Sequence, residues 1–463
     1  MSSAGRLTDA LVVPALRLDR GEGLAEALRC LREFEPRIFL IFGGDAEDVA
    51  WLHETLEEQA GCPILFAADL ERGAGQQFEG LTPLPDAWAL GMLGAEAAWE
   101  AGHRTAVEAA QARVRWILAP VLDLHVPGQA SPIIGHRSFG SEVARVIECA
   151  GAFAQGVLEG GGQPCAKHFP GHGTVTQDSH TEEAISFEEP GVHLEPFQAL
   201  LPKIPSVMLG HLEFPVVDES GRPASRSPYW VKLLREDLGY QGLILTDSLR
   251  MKGYAIEPEE HGAVESLQAG VDLILDPKDP VTVARTLRDS LKFGELDEEA
   301  VRRSVRRVET FLETARAAEP GRSRPLMLGA GARRLLRPLP GGRPAARRLQ
   351  RPEAALCLAP TLDALRFLEE WGVELHHVQD EPPDPLPDSL LILWGAAAGR
   401  GFPSLPGPWL EAIHQHHPVL YVAGSPEAAE AAPASAQGYS LPGMSPALLA
   451  LLFAGEEEAG EEG

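Results

Sequence analysis

Short, dense apolar runs punctuate the first two thirds of the chain, and stretches with helical character lie between them. The runs are LVVPALRL (11–18), IFLIF (38–42), PILFAADL (63–70), WILAPVLDL (116–124), PCAKHF (164–169), SVMLGHL (206–212), LILTD (243–247) and DLILD (272–276). Each predicts a strand. AEDVAWLHETLEEQ (46–59) and EVARVIECAGAFAQGVLEG (142–160) predict helices between them. Strands alternating with helices predict a parallel sheet, and eight of them fit a (β/α)8 TIM-type barrel of ordinary size.

The polar residues fall in a second pattern. Asp69 and Glu71 close the third run, Asp123 the fourth, Lys167 and His168 the fifth, His211 the sixth and Asp247 the seventh. One charge at a strand end is commonplace. A set on successive strands is what a site on the C-terminal rim of a barrel requires.

Beyond about residue 315 the character changes. Residues 316–352 are rich in Arg, Pro and Gly and predict a linker. The predicted organisation is a barrel over 1–315, this linker, and a smaller, sandwich-like α/β domain over 353–463 with an acidic tail (EEEAGEEG). LILWG (391–395) and VLYVAG (419–424) predict buried parallel strands there. That segment also holds His376, His377, His414, His416 and His417, a surface grouping more often incidental than metal-binding.

Composition narrows the function. The chain has 463 residues, 44% hydrophobic and 23% charged, with a formal net charge of −27. Such acidity argues against nucleic acid or an anionic membrane surface as partner. The arginines of the linker lack the interleaved aromatics that stack on bases. No run of 18 apolar residues is free of charge, so no membrane span is expected. The N-terminal stretch lacks the pattern of a secretory signal. The five cysteines are scattered, with no CxxC pair, so neither a zinc site nor a disulfide framework is indicated. A reduced, cytoplasmic protein without a cofactor is the expectation.

The densest chemistry is KHFPGHGTVTQDSH (167–180), three histidines, a lysine and an aspartate in a stretch too glycine-rich for a helix. It leaves the fifth strand and becomes a rim loop. A zinc site from His168, His172 and His180 is conceivable, but the adjoining Lys167 and the lack of metal-ligand spacing disfavour it. This stretch resembles the signature of glycoside hydrolase family 3, in its β-N-acetylhexosaminidase branch. LAPVLDLHV with IIGHRSFG (133–140), GLILTDSLRM (242–251) and AVESLQAGVDLIL (263–275) are similar to further motifs of that family, in the family's order. The resemblance covers most of residues 10–312, and 353–455 resembles more loosely a shortened second domain.

The resemblance implies that Asp247 is the nucleophile, forming a glycosyl-enzyme intermediate. On position alone Asp247 reads equally as a helix N-cap aspartate. The resemblance further implies that Asp178 and His180 form the acid/base dyad. A carboxylate beside an imidazole orients the ring and favours its charged form. Asp69, Arg137, Lys167 and His168 are implied to hold the sugar. His211 either binds or packs, and Asp123 is equally a structural partner for Arg137.

The chain departs from the family pattern in three places. Gln77, in DLERGAGQQF (69–78), stands where a sugar-binding arginine is common. The acidic pair after the seventh strand is Asp247–Ser248. TEEA follows the dyad where a proline is usual.

The implied activity is retaining exo-β-N-acetylglucosaminidase action on small soluble glycosides such as muropeptide fragments. A phosphorylase, a β-glucosidase or β-xylosidase, and a catalytically lapsed sugar-binding protein remain open. The D-x-H pair at 178–180 counts against the glucosidase, and the retained acids count against the lapsed protein.

Overall fold

The computed structural model describes residues 3–21, 23–126, 133–172, 175, 179, 182–254, 256 and 258–322, together with six strands further on. The chain divides into two compact units, Met1–Pro83 with Gly94–Arg324, and Leu84–Leu93 with Pro325–Gly463.

In the first unit the strands are β1 (Val12–Val13), β2 (Ala15–Arg17), β3 (Ile38–Phe42), β4 (Leu65–Ala68), β5 (Val114–Ile117), β6 (Gln163–Phe169), β7 (Ala184–Ile185), β8 (Ser206–Leu209), β9 (Leu212–Glu213), β10 (Leu243–Thr246) and β11 (Ile274–Leu275). Seven form one curled sheet in the order β10-β8-β6-β5-β4-β3-β2. Every pairing in it is parallel. β4, β6, β8 and β10 are buried along their whole length. Burial on both faces is why these strands read as continuous apolar runs rather than alternating ones.

The eighth predicted strand contributes only two paired residues. β11 pairs with β1, and Leu273 bridges Leu245 of β10. Asp272 holds to β10 through its N–H, which donates to the Ile244 carbonyl at 2.8 Å, and through its side chain as well. Its Oδ2 accepts from the Ile244 N–H at 2.9 Å and its Oδ1 from Ser304 Oγ at 2.7 Å. The predicted strand 116–124 is likewise shorter as a ladder. After Ile117 the chain stays beside β6 through separate bonds, such as Cys165 N–H to the Ala119 carbonyl at 2.8 Å. Pro120 has no N–H to continue the ladder.

The helices cover the strands. Helix Ala46–Ala60 starts at Asp45, whose side chain accepts from the Glu47 N–H, and stops at Gly61 in the left-handed region. Helices Ala95–Ala109 and Val143–Glu159 pack closely enough to require glycine. A Cβ on Gly102 would lie 2.1 Å from the Phe153 carbonyl oxygen, and one on Gly156 would lie 2.1 Å from that of Trp99.

The second unit holds helix Ala87–Leu93, whose first turn is capped by Asp86 Oδ1 accepting from the Ala89 N–H at 3.0 Å. It also holds β12 (Arg337–Pro338), β13 (Ala354–Cys357), β14 (Glu374–His377), β15 (Leu390–Trp394), β16 (Leu420–Ala423) and β17 (Gln437–Ser440). These form one sheet in the order β12-β17-β16-β15-β13-β14, parallel except for β12 against β17. The predicted strands at 391–395 and 419–424 fall on β15 and β16. His376 and His377 lie in β14, and His414, His416 and His417 lie outside the described residues.

Candidate active site

The C-terminal ends of β4 and β6 meet in a buried charge network. Lys167, near the end of β6, donates from Nζ to Asp69 Oδ1 at 2.7 Å and lies 2.6 Å from Glu71 Oε1. Arg137 donates to Glu71 through Nε at 2.9 Å and Nη2 at 2.8 Å, a bidentate pair. Two acids and two bases balance, which is the condition for burying them. Burial acts to raise the Glu71 pKa, but Arg137 and Lys167 outweigh it and hold Glu71 well below the ordinary range. Burial acts to lower that of Lys167, and Asp69 and Glu71 reverse the effect. The Lys167 side chain is 2% exposed and that of Asp69 28%, so Asp69 is the member of the pair open to a ligand. Among the described residues its Oδ2 has no partner.

Behind this network lies Asp123, fully buried after β5. It does not pair with Arg137. Its Oδ2 meets His168 Nδ1 at 2.7 Å and accepts from the His168 N–H at 3.2 Å, while Oδ1 accepts from the His172 N–H at 2.6 Å. Arg137 is instead taken by Glu71, and its Nη2 lies 3.3 Å from His168 Nε2. A guanidinium only donates, so the network assigns the His168 proton to Nδ1, facing Asp123. Burial drives the His172 pKa down to about 4, so this ring is neutral near pH 7.

Asp247 follows β10 and is half-buried. Its Oδ1 accepts from the Ser248 N–H at 2.7 Å, and its own N–H donates to the Leu209 carbonyl at 3.0 Å. Among the described residues nothing bonds its Oδ2. Burial works to raise its pKa, but the His168 and His211 rings, the Ser248 N–H and the Lys167 ammonium hold it below the ordinary value. The carboxylate is therefore ionised at neutral pH, with one oxygen held and one open.

His211 is committed on both sides. Nε2 lies 2.9 Å from the Ser248 carbonyl, and Nδ1 lies 2.7 Å from Ser225 Oγ. The carbonyl can only accept, so the proton sits on Nε2. No ring nitrogen is left for a sugar hydroxyl, and of the two roles expected for His211 the packing one fits this geometry. Gln77, in the arginine position of the family pattern, accepts from the Gly43 N–H through Oε1 at 3.2 Å.

The expected dyad, Asp178 and His180, lies outside the described residues. The structure brings together Asp69, Arg137, Lys167, His168 and Asp247, and it adds Glu71 as the hub of the charge network. Glu71 was visible as a strand-end acid, but no local signal distinguished it from Asp69. Among the described residues no group of three or more His, Cys, Asp or Glu is arranged to hold a metal ion. Nor is any described helix long and apolar enough to cross a membrane.

Comparison with known proteins bears on the family and the fold. The family model for the glycosyl hydrolase family 3 N terminal domain matches residues 45–311. A beta-hexosaminidase of Histophilus somni is 36% identical over 281 residues, covering 57% of this chain and 78% of that protein. A beta-hexosaminidase of Tolumonas auensis is 35% identical over 271 residues, covering 54% and 78%. The fold is similar to that of a glycoside hydrolase family 3 beta-N-acetylglucosaminidase from Paenibacillus sp. str. FPU-7, with TM-score 0.78 and 23% identity over 98% of this chain and 96% of that one. The fold and these matches define a glycoside hydrolase. The chain belongs to glycosyl hydrolase family 3.

Proposed function

We propose that this β-hexosaminidase-type hydrolase is a retaining exo-β-N-acetylglucosaminidase, releasing terminal GlcNAc from small soluble glycosides such as muropeptide fragments. We read its curled sheet as an eight-strand barrel closed through β11. The observation that carries the proposal is Asp247, ionised at a strand end with Oδ1 bonded to the Ser248 N–H and Oδ2 unpartnered among the described residues. In the reaction, Asp247 Oδ2 forms a bond to the anomeric carbon as the bond to the leaving oxygen breaks. That oxygen takes its proton from His180, held by Asp178. Water then gives its proton to His180 and attacks the same carbon, freeing Asp247 and releasing the sugar with its configuration retained.

Asp69 accepts from ring hydroxyls through its open oxygen, braced by Lys167. His168, with its proton on the Asp123 side, offers Nε2 to a hydroxyl in place of its longer contact to Arg137. Release of a monosaccharide implies a pocket closed at the non-reducing end, which Asp69, Arg137 and Lys167 line. The described cysteines are free thiols, in keeping with a cytoplasmic setting.

Aryl β-GlcNAc and aryl β-glucoside, each with and without phosphate, test the substrate and acceptor. Preferred turnover of the first, unchanged by phosphate, is expected. A sugar 1-phosphate product makes the chain a phosphorylase, and preference for the glucoside rejects the hexosamine. Mass spectrometry after rapid quenching should find the hexosamine on the peptide containing Asp247. His180→Ala should slow glycosides with poor leaving groups far more than activated aryl ones, and equal losses on both would remove the acid role.

A further inference from the structure

Among the described residues the Asp247 carboxylate is aimed by one hydrogen bond, from the Ser248 N–H. Ser248 is itself held at two further atoms. Its carbonyl accepts from His211 Nε2 at 2.9 Å and from the Met251 N–H at 3.1 Å. Its Oγ donates to Asp276 Oδ2 at 2.7 Å.

Asp276 follows β11, is 1% exposed and has φ of 49°, a left-handed conformation that Asp and Asn tolerate best after glycine. Its carboxylate also accepts from Arg17 Nη1 at 3.1 Å, Arg17 Nη2 at 2.7 Å and Arg250 Nε at 3.0 Å. Its own N–H donates to the Val13 carbonyl at 2.9 Å, and the Leu249 N–H donates to the Leu275 carbonyl at 3.0 Å. One carboxylate thus ties together the ends of β2, through Arg17, of β10, through Ser248 and Arg250, and of β11. Two guanidinium groups face a single acid, so its charge is compensated.

The sequence sharpens this. Ser248 stands where the family pattern has a second aspartate directly after the nucleophile. A carboxylate there would set a second negative charge on the neighbouring residue. In this chain the acid sits one strand away and reaches the same position through a hydroxyl.

We propose that Asp276 is a positioning residue for Asp247, taken as the nucleophile of the reaction above: through Ser248 Oγ it fixes the backbone N–H that orients the attacking carboxylate. It touches no substrate. Its effect falls on the chemical step, because a carboxylate held loosely still leaves the sugar pocket intact.

Ser248→Ala removes the link and leaves both Arg–Asp276 pairs in place. Asp276→Asn keeps size and backbone tolerance, but has one acceptor oxygen where four hydrogen bonds converge. Each variant should lower kcat for aryl β-GlcNAc by about 10- to 100-fold, the range seen when outer-shell partners are lost, with KM changed less than about twofold. The rate of the first, sugar-transferring step, read by stopped flow, should fall in parallel. If the Ser248–Asp276 contact carries the effect, adding Ser248→Ala to Asp276→Asn should slow it no further.

Wild-type kcat in Ser248→Ala overturns the assignment, as does a loss carried by KM alone or losses that multiply in the double variant. If Asp276→Asn does not fold, Ser248→Ala still decides. Asp247→Ala separates the two levels. Activity surviving in Asp247→Ala rejects the nucleophile, whereas an inactive Asp247→Ala beside a fully active Ser248→Ala rejects only the role of Asp276.

Discussion

The tips of β4 and β10 both carry carboxylates, and they treat them in opposite ways. At β4 the acids are spent on bases, one of them from β6. Asp69 and Glu71 converge on Lys167, Arg137 grips Glu71 with two bonds, and one oxygen of Asp69 is left over. At β10, among the described residues, Asp247 has no ion pair in direct contact and keeps one oxygen open. A closed ion network gives fixed geometry and steady charge, which suits recognition of neutral hydroxyls. A carboxylate with an open oxygen suits attack on carbon. Under the proposed function, the difference separates a region that holds the sugar from one that reacts with it.

Four experiments probe that separation, in order of expected effect. Asp247→Ala should reduce kcat on the order of 10⁴-fold, the scale of losing one member of a catalytic set, while a urea melt moves little. Unfolding of this variant would erase the distinction between the two regions. Lys167→Met should do the reverse in kind. It leaves Asp69 and Glu71 facing each other with only Arg137 to balance them, and should cost about 3–5 kcal/mol in a urea melt. Sugar binding should weaken as well, seen as a raised KM.

The third experiment is the pH dependence of stability. His172 has a folded-state pKa of about 4, below its unfolded value, so the unfolded chain binds its proton first. Its contribution is full above about pH 6.5, the unfolded value, and is lost as pH falls toward 4. Burial lowers the His193 and His211 values too, adding to the same slope. Glu71 and Asp247 are also held low, so their contributions are present above their unfolded pKa and lost only at more acidic pH. Urea midpoints should therefore decline in two stages, and His172→Asn should flatten the upper one. A midpoint constant from pH 7 to 4 would contradict the burial of these rings. The acid limb of kcat, by the same sign, should not report Asp247 above pH 4. The smallest effect is expected at Gln77, outside both regions. Gln77→Ala removes the acceptor for the Gly43 N–H and should cost about 1 kcal/mol, with kcat unchanged.

Much of the site was legible along the chain because strand ends are local features. Asp69, Lys167, His168 and Asp247 each terminate an apolar run, and a run that ends in a charge can be read without its neighbours. The partners of those charges could not be read. Asp123 read as a candidate partner for Arg137, but Glu71 takes that place and Asp123 is turned inward onto His168 and the His172 N–H. His211 looked available to a ligand, yet Ser225 and the Ser248 carbonyl occupy both its nitrogens. Asp276 closes the eighth run in the same way, but its role could not be read there, since its partner Arg17 lies 259 residues earlier.

Periodicity and strand-end chemistry, which need only neighbouring residues, determined the alternating α/β plan and the set of rim residues, and the resemblance of short motifs pointed to the family. Which acid meets which base, which oxygen stays open and which buried group steers another were decided only when the sheet curled. Hydrogen bonds and ion pairs act over about 3 Å, and curling brings residues to that distance without regard to their separation along the chain.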